Sequence, residues 1–233
     1  MTAAQRRRLA AVFASAGILL GTAACSSSPG GPPGSGSVSY DGVRSVARQL
    51  HQDQQNSCPF GLDLAKALKA AEIPGSVGPD TADGPAADGS VSDGTSPQPW
   101  PSGMSHPPSM PSVPAVPPNA DVTCGYRVGE TRIGIELLAI PQYGAVNLLL
   151  PRIQVAARIG AAQVRQFATE QPDAGQAKLV PGEGTAAVAR IRPRGAGDIA
   201  LLLSQDVGDG GPDRAFTGEP LRKAAQALAD QLG

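Results

Sequence analysis

Aromatic residues are scarce in this chain: four Phe, three Tyr and one Trp make up 3% of 233 residues. That argues against a carbohydrate-stacking platform. With no basic stripe interleaved with aromatics, it also argues against nucleic-acid recognition. Histidine is scarcer still, with only His51 and His106. A Ser-His-Asp hydrolase needs a base beside its nucleophile. His51 falls at the fraying end of a helical pattern and His106 in proline-rich sequence, so neither has that setting. Zinc ligation calls for His and Cys at short spacings, and none occur. There are three cysteines and no CxxC, which removes the usual dithiol redox motif. Cations are missing altogether between Lys69 and Arg127.

What is present begins at the N-terminus. Arg6, Arg7 and Arg8 precede an uncharged apolar run from Leu9 to Leu20, and Gly21-Thr22-Ala23-Ala24 then lead to Cys25. The run has the length of a secretory h-region and is too short to span a bilayer comfortably. The pattern resembles bacterial lipoprotein export signals, which implies cleavage before Cys25 and a lipid on its thiol. Thr22 and Ala24 also suit ordinary signal peptidase, which would release the chain. Cysteine arithmetic favours lipidation: modifying Cys25 leaves Cys58 and Cys124 as a pair. Losing the three arginines takes the formal charge from −1 to −4. Residues 1–24 are therefore expected to be a signal peptide, and 25–39, rich in Ser, Gly and Pro, a flexible tether.

The next segments alternate between helical and extended periods. Asp41 reads as an N-cap for a helix carrying Val43, Val46, Ala47 and Leu50 on one face. A second helix is expected from about Leu62 to Glu72, before Pro74-Gly75. From 74 to 120 the composition changes: twelve prolines, four aspartates, and Trp100, Met104 and Met110 as the only sizeable apolar side chains. This predicts a disordered insertion, with those three as a candidate partner-binding motif. Val122, Cys124, Tyr126 and Val128 alternate as a strand. A Gly129-Glu130 turn follows, then a second strand through Ile133, Ile135 and Leu137. A stripe running from Val146 through Leu149, Ile153 and Ala157 to Phe167 predicts one long helix, in which Pro151 is either a kink or a first-turn residue. Short strands follow around 178–180, 186–191 and 199–203, with Arg190 and Arg192 expected to face water. Leu221, Ala224, Ala225, Leu228 and Leu232 mark a terminal helix behind Glu219-Pro220.

Cys58 and Cys124 flank the insertion, and in an exported chain they should form a disulfide. The expected architecture is α+β: an antiparallel sheet packed by helices, with a long disordered Pro/Gly/Ser insertion. Residues 40–73 and 121–233 make one domain. Cys58 ahead of a helix, Cys124-Gly125-Tyr126 opening a hairpin, a long helix, and Gly182-Glu183-Gly184-Thr185-Ala186-Ala187 before two strands and a helix occur in that order. This succession resembles small actinobacterial cell-envelope lipoproteins of unknown function. The resemblance implies an antiparallel sheet with helices and no assigned catalytic residues.

Other groupings carry little chemistry. Asp206, Asp209 and Asp213 do not match EF-hand spacing, and Asp and Gly occupy turns readily. Gly182-Glu183-Gly184 lacks the further glycine of a dinucleotide loop. Glu130 and Glu136 read as ordinary turn and strand positions. No catalytic residue, cofactor or metal is expected. The expected role is non-enzymatic: an envelope interaction or accessory protein at the outer face of the cytoplasmic membrane, anchored through Cys25. Its partner would be another envelope protein, meeting an exposed part of the sheet or the stripe around Leu149 and Ile153. The alternative is a small-ligand or lipid-binding lipoprotein.

Overall fold

A computed structural model describes residues 38–53, 55–207 and 211–233. Cys25 and most of the expected signal and tether lie outside them. The chain runs α1 (Tyr40–Gln52), α2 (Leu64–Ala70), β1 (Val77–Pro79), β2 (Ala87–Ser92), β3 (Asn119–Val128) and β4 (Thr131–Ile140). It continues with α3 (Ala145–Ala157), α4 (Ala161–Thr169), β5 (Gln176–Leu179), β6 (Ala186–Ile191), β7 (Asp198–Asp206) and α5 (Glu219–Leu232). Seven strands form one antiparallel sheet in the order β1–β3–β4–β7–β6–β5, with β2 also pairing β3. The fold is α+β.

Strand alternation divides the sheet into two unlike faces. Val122, Cys124, Ile133, Ile135, Leu137, Ala187, Ala189, Ile199, Leu201 and Leu203 point to one side and pack with α1, α2 and α5 in the larger core. Leu138, Ile140, Ala186, Val188, Ala200 and Leu202 point to the other, where α3 and α4 cover them. Beyond that smaller core, the second face carries Asp121, Thr123, Arg127, Arg132, Gly134, Glu136, Ser204 and Asp206 along β3, β4 and β7.

Local chemistry explains several boundaries. Ser39, rather than Asp41, caps α1, its hydroxyl accepting from the Gly42 N–H at 3.1 Å. Val38 donates to the Leu232 carbonyl and accepts from Arg194, tying the first described residues to both α5 and the β6–β7 turn. α3 has no cap of its own at Gly144. The buried carboxylate of Asp198 accepts instead from the Gly144 and Ala145 N–H groups, at 2.9 and 3.0 Å. Its other oxygen takes the Arg190 Nε–H at 2.7 Å, and that guanidinium lies 4.3 Å from the Tyr143 ring centroid. Arg190 therefore does not simply face water.

The long apolar stripe is two helices, not one. Pro151 sits inside α3, which continues past it to Ala157. The break comes at Arg158 (φ +52°), where Ile159 turns into the core beside Gly182. A Cβ on Gly182 would lie 2.6 Å from Ile159 Cγ2, so glycine is needed there. Buried Thr185 donates to the Ala156 carbonyl at 3.0 Å, and the Gly218 N–H donates to Gly184 at 2.9 Å. The Gly182–Thr185 turn thus joins the end of α3 to the start of α5, a structural task.

Order also reaches into the segment expected to be a disordered insertion. β1 pairs residues 126–128 and β2 pairs 119–124 of β3. Ala87 is buried and Val91 packs against the core, while Asp88 and Ser90 face outward. Gly89 lets the Ala47 carbonyl of α1 approach, because a Cβ would meet it at 2.4 Å. Residues 93–118 form no further helix or ladder, in keeping with their composition, but two isolated bridges join Thr95 to Val116 and Gln98 to Val113. The Cys58–Cys124 disulfide forms, with Cα atoms 5.6 Å apart, and fastens the segment before α2 to β3.

Candidate functional site

Where α3 stops covering the second face, a cleft of about 620 Å³ opens between that helix and β4 and β7. Gly134, Leu202 and Ser204 line its sheet side, and Pro151, Val155 and Ala156 its helix side. Gly134 and Ser204 are register partners, so the missing side chain at Gly134 deepens the floor. Val155 is 78% exposed at the rim. Glu136, Arg152, Arg158 and Asp206 supply charge around this apolar wall.

Arg152 is the organising side chain. Its Nη1 reaches both Asp121 on β3 and Glu136 on β4. The two carboxylates are nearly buried, whereas Arg152 is about half exposed. One guanidinium thus neighbours two carboxylates but hydrogen-bonds only Asp121, and Asp121 Oδ1 and Glu136 Oε1 have no hydrogen-bond partner among the described residues. Burial pushes the Asp121 carboxyl above its ordinary value of 3.8, with Arg152 pulling the other way. Arg158 closes the far end of the cleft and donates through Nη2 to the Val207 carbonyl. An apolar wall beside a charged, partly satisfied rim is suited to holding a ligand or partner side chain.

A second cavity of about 360 Å³ lies at the β5 edge. Its polar groups are committed to the fold: Gln226 accepts from Ala177 and donates to Gly175, and Arg192 donates to Ala174.

Part of this site departs from the sequence pattern. Leu149 and Ile153, expected to meet an envelope partner, are fully buried beneath α3 and cannot form a docking surface. Glu136, read as an ordinary strand residue, is held by Arg152 at the cleft. Of the loop aspartates, Asp206 lines the cleft. Asp213 instead accepts from Ala215 and Thr131, and Asp209 lies outside the described residues. Glu130 is exposed in the β3–β4 turn. Among the described residues, no three His, Cys, Asp or Glu side chains gather as a metal site, and no helix is long and apolar enough to cross a membrane. The Arg152 pairing had a weak signal: Asp121 and Glu136 are the two acids of β3 and β4, and both fall on the face opposite the larger core.

No family model, curated protein or solved structure matches this chain.

Proposed function

We propose that this chain is a lipid-anchored, non-enzymatic module of the cell envelope, held at the outer face of the cytoplasmic membrane through Cys25. The disulfide carries the reading. It takes Cys58 and Cys124, leaving as the third cysteine Cys25, which stands where the export pattern ends. Disulfides of this kind persist in oxidising compartments. Two acyl chains would anchor the domain stably, since each buried methylene contributes about 0.8 kcal/mol. The likeness to small actinobacterial lipoproteins points the same way. Within this reading, the half-covered sheet face is where an envelope partner docks. Fractionation tests it: the native chain should sediment with membranes, and the Cys25→Ser chain should appear as uncleaved precursor or in the medium. A Cys25→Ser chain that is cut at the same place and held on membranes like the native one would end the proposal.

The cleft favours a second reading, a small apolar or lipid ligand held beside Val155 and Leu202. Its volume falls within the range of small-molecule sites. Native mass spectrometry of the chain purified from membranes tests this by the presence or absence of a co-purified ligand mass.

A further inference from the structure

All the methionines after Met1, the only tryptophan and one of the two histidines fall within eleven residues, Trp100 to Met110. In a chain so poor in these residues, that concentration needs a cause. The structure arranges them. Two rungs, Thr95 with Val116 and Gln98 with Val113, close the base of a loop. Above it stand two successive β-turns of similar composition, Pro101-Ser102-Gly103-Met104 and Pro107-Pro108-Ser109-Met110. In each, the methionine N–H donates to the carbonyl of the opening proline, at 3.1 and 2.9 Å. The first turn uses Gly103 at φ +84°, and prolines fix much of the remaining backbone. Both turns therefore end by presenting a thioether, and both methionines are exposed, Met104 by 53% and Met110 by 39%.

His106 lies between the two turns. Its ring stacks on Trp100, with centroids 5.4 Å apart and planes within 5°. The Trp100 Nε1–H donates to the Met110 carbonyl at 2.8 Å, drawing the second turn onto the indole. His106 Nδ1 lies 3.2 Å from the Pro107 carbonyl. Donation there assigns the proton to Nδ1 and leaves Nε2 with its lone pair. Two neutral thioethers and one imidazole are a soft donor set. Such a set selects Cu(I) and its analogue Ag(I) over harder divalent ions.

We propose that the Trp100–Met110 loop is a binding site for a soft monovalent cation, Cu(I) or Ag(I), with Met104, His106 and Met110 as ligands and Trp100 as a stacking wall. The assignment does not depend on lipidation.

Trp100 is the only tryptophan, so its emission reports on this loop alone. The probe is Ag(I), titrated in chloride-free buffer into the full chain carrying Cys25→Ser, which removes the one thiol outside the disulfide. The expected result is one Ag(I) per chain by equilibrium dialysis, with a saturable change in Trp100 emission that excess Zn(II) does not reproduce. Met104→Leu with Met110→Leu should weaken binding by at least about tenfold, since even outer-shell changes at metal sites cost 10–100-fold. Thermal melting checks that this variant is folded, and His106→Gln provides an independent loss of a ligand. Absence of stoichiometric Ag(I) would overturn the site. So would binding that leaves the emission unchanged, binding that survives the double substitution, or equal competition by Zn(II).

Discussion

The two faces of the sheet differ in how completely they are covered. On the face under α1, α2 and α5, apolar residues run unbroken across five strands, from Ala87 and Val122 to Ala187 and Ile191. On the opposite face, α3 and α4 cover only the half around Leu138, Val188 and Leu202. Past that line come Asp121, Arg127, Arg132, Glu136, Ser204 and Asp206. Hydrophobic burial scales with apolar area, so the first face stabilises the fold. The open half of the second contributes little and remains available to meet something else. Substitutions should separate the two accordingly.

The largest effect should come from the cross-link beside the covered face. Cys58→Ser with Cys124→Ser opens a 66-residue span and should cost about 4 kcal/mol in non-reducing denaturant titrations, by the loop-entropy account. Unchanged stability would show that α1, α2 and the sheet stay together without the bond.

Truncating a fully buried side chain comes next. Leu201→Ala on the covered side should cost about 3 kcal/mol, whereas Ser204→Ala on the open side should stay within about 0.5 kcal/mol. Similar losses at both positions would erase the distinction between the faces.

Arg152 tests the boundary itself. Arg152→Ala strands the Asp121 and Glu136 carboxylates, a loss of about 2 kcal/mol at neutral pH once the half-exposed guanidinium is discounted for solvent screening. The loss should shrink in acid as those carboxylates protonate. A pH-independent loss would mean Arg152 matters through packing alone.

Asp121→Asn should have the smallest effect, and its sign is set by burial. The native state holds the Asp121 proton more tightly than the unfolded chain, whose carboxyl titrates near 3.8. This group's contribution to stability is therefore fully present below 3.8 and is lost as pH rises through the raised native value. Relative to wild type, the Asp121→Asn variant should look best at neutral pH and lose that advantage as pH falls toward 3.8. The reverse trend in urea midpoints would show that Arg152, not burial, governs Asp121.

Much of the covered face was legible in the sequence because its residues keep a strict period. Leu221 to Leu232 in α5, Ile133 to Leu137 in β4 and the α1 stripe all lie where their spacing puts them. The α3–α4 break was not legible, because Gly182 and Thr185, far along the chain, decide it. β2 was hidden by composition: Ala87 and Val91 alternate correctly with Asp88 and Ser90, but surrounding prolines and glycines mask four positions. The cleft was least legible. Glu136, Arg152 and Ser204 belong to three elements, and only the register of β3, β4 and β7 beneath α3 brings them together.

Both uses of the open face, partner docking and ligand holding, depend on the domain standing outside the cell on a lipid. The intact mass of the native protein extracted from membranes addresses this directly. The expected mass is that of a chain beginning at Cys25, with one internal disulfide and the added mass of at least two acyl chains. A mature chain with unmodified Cys25, or one cleaved elsewhere and recovered from the medium, would contradict it.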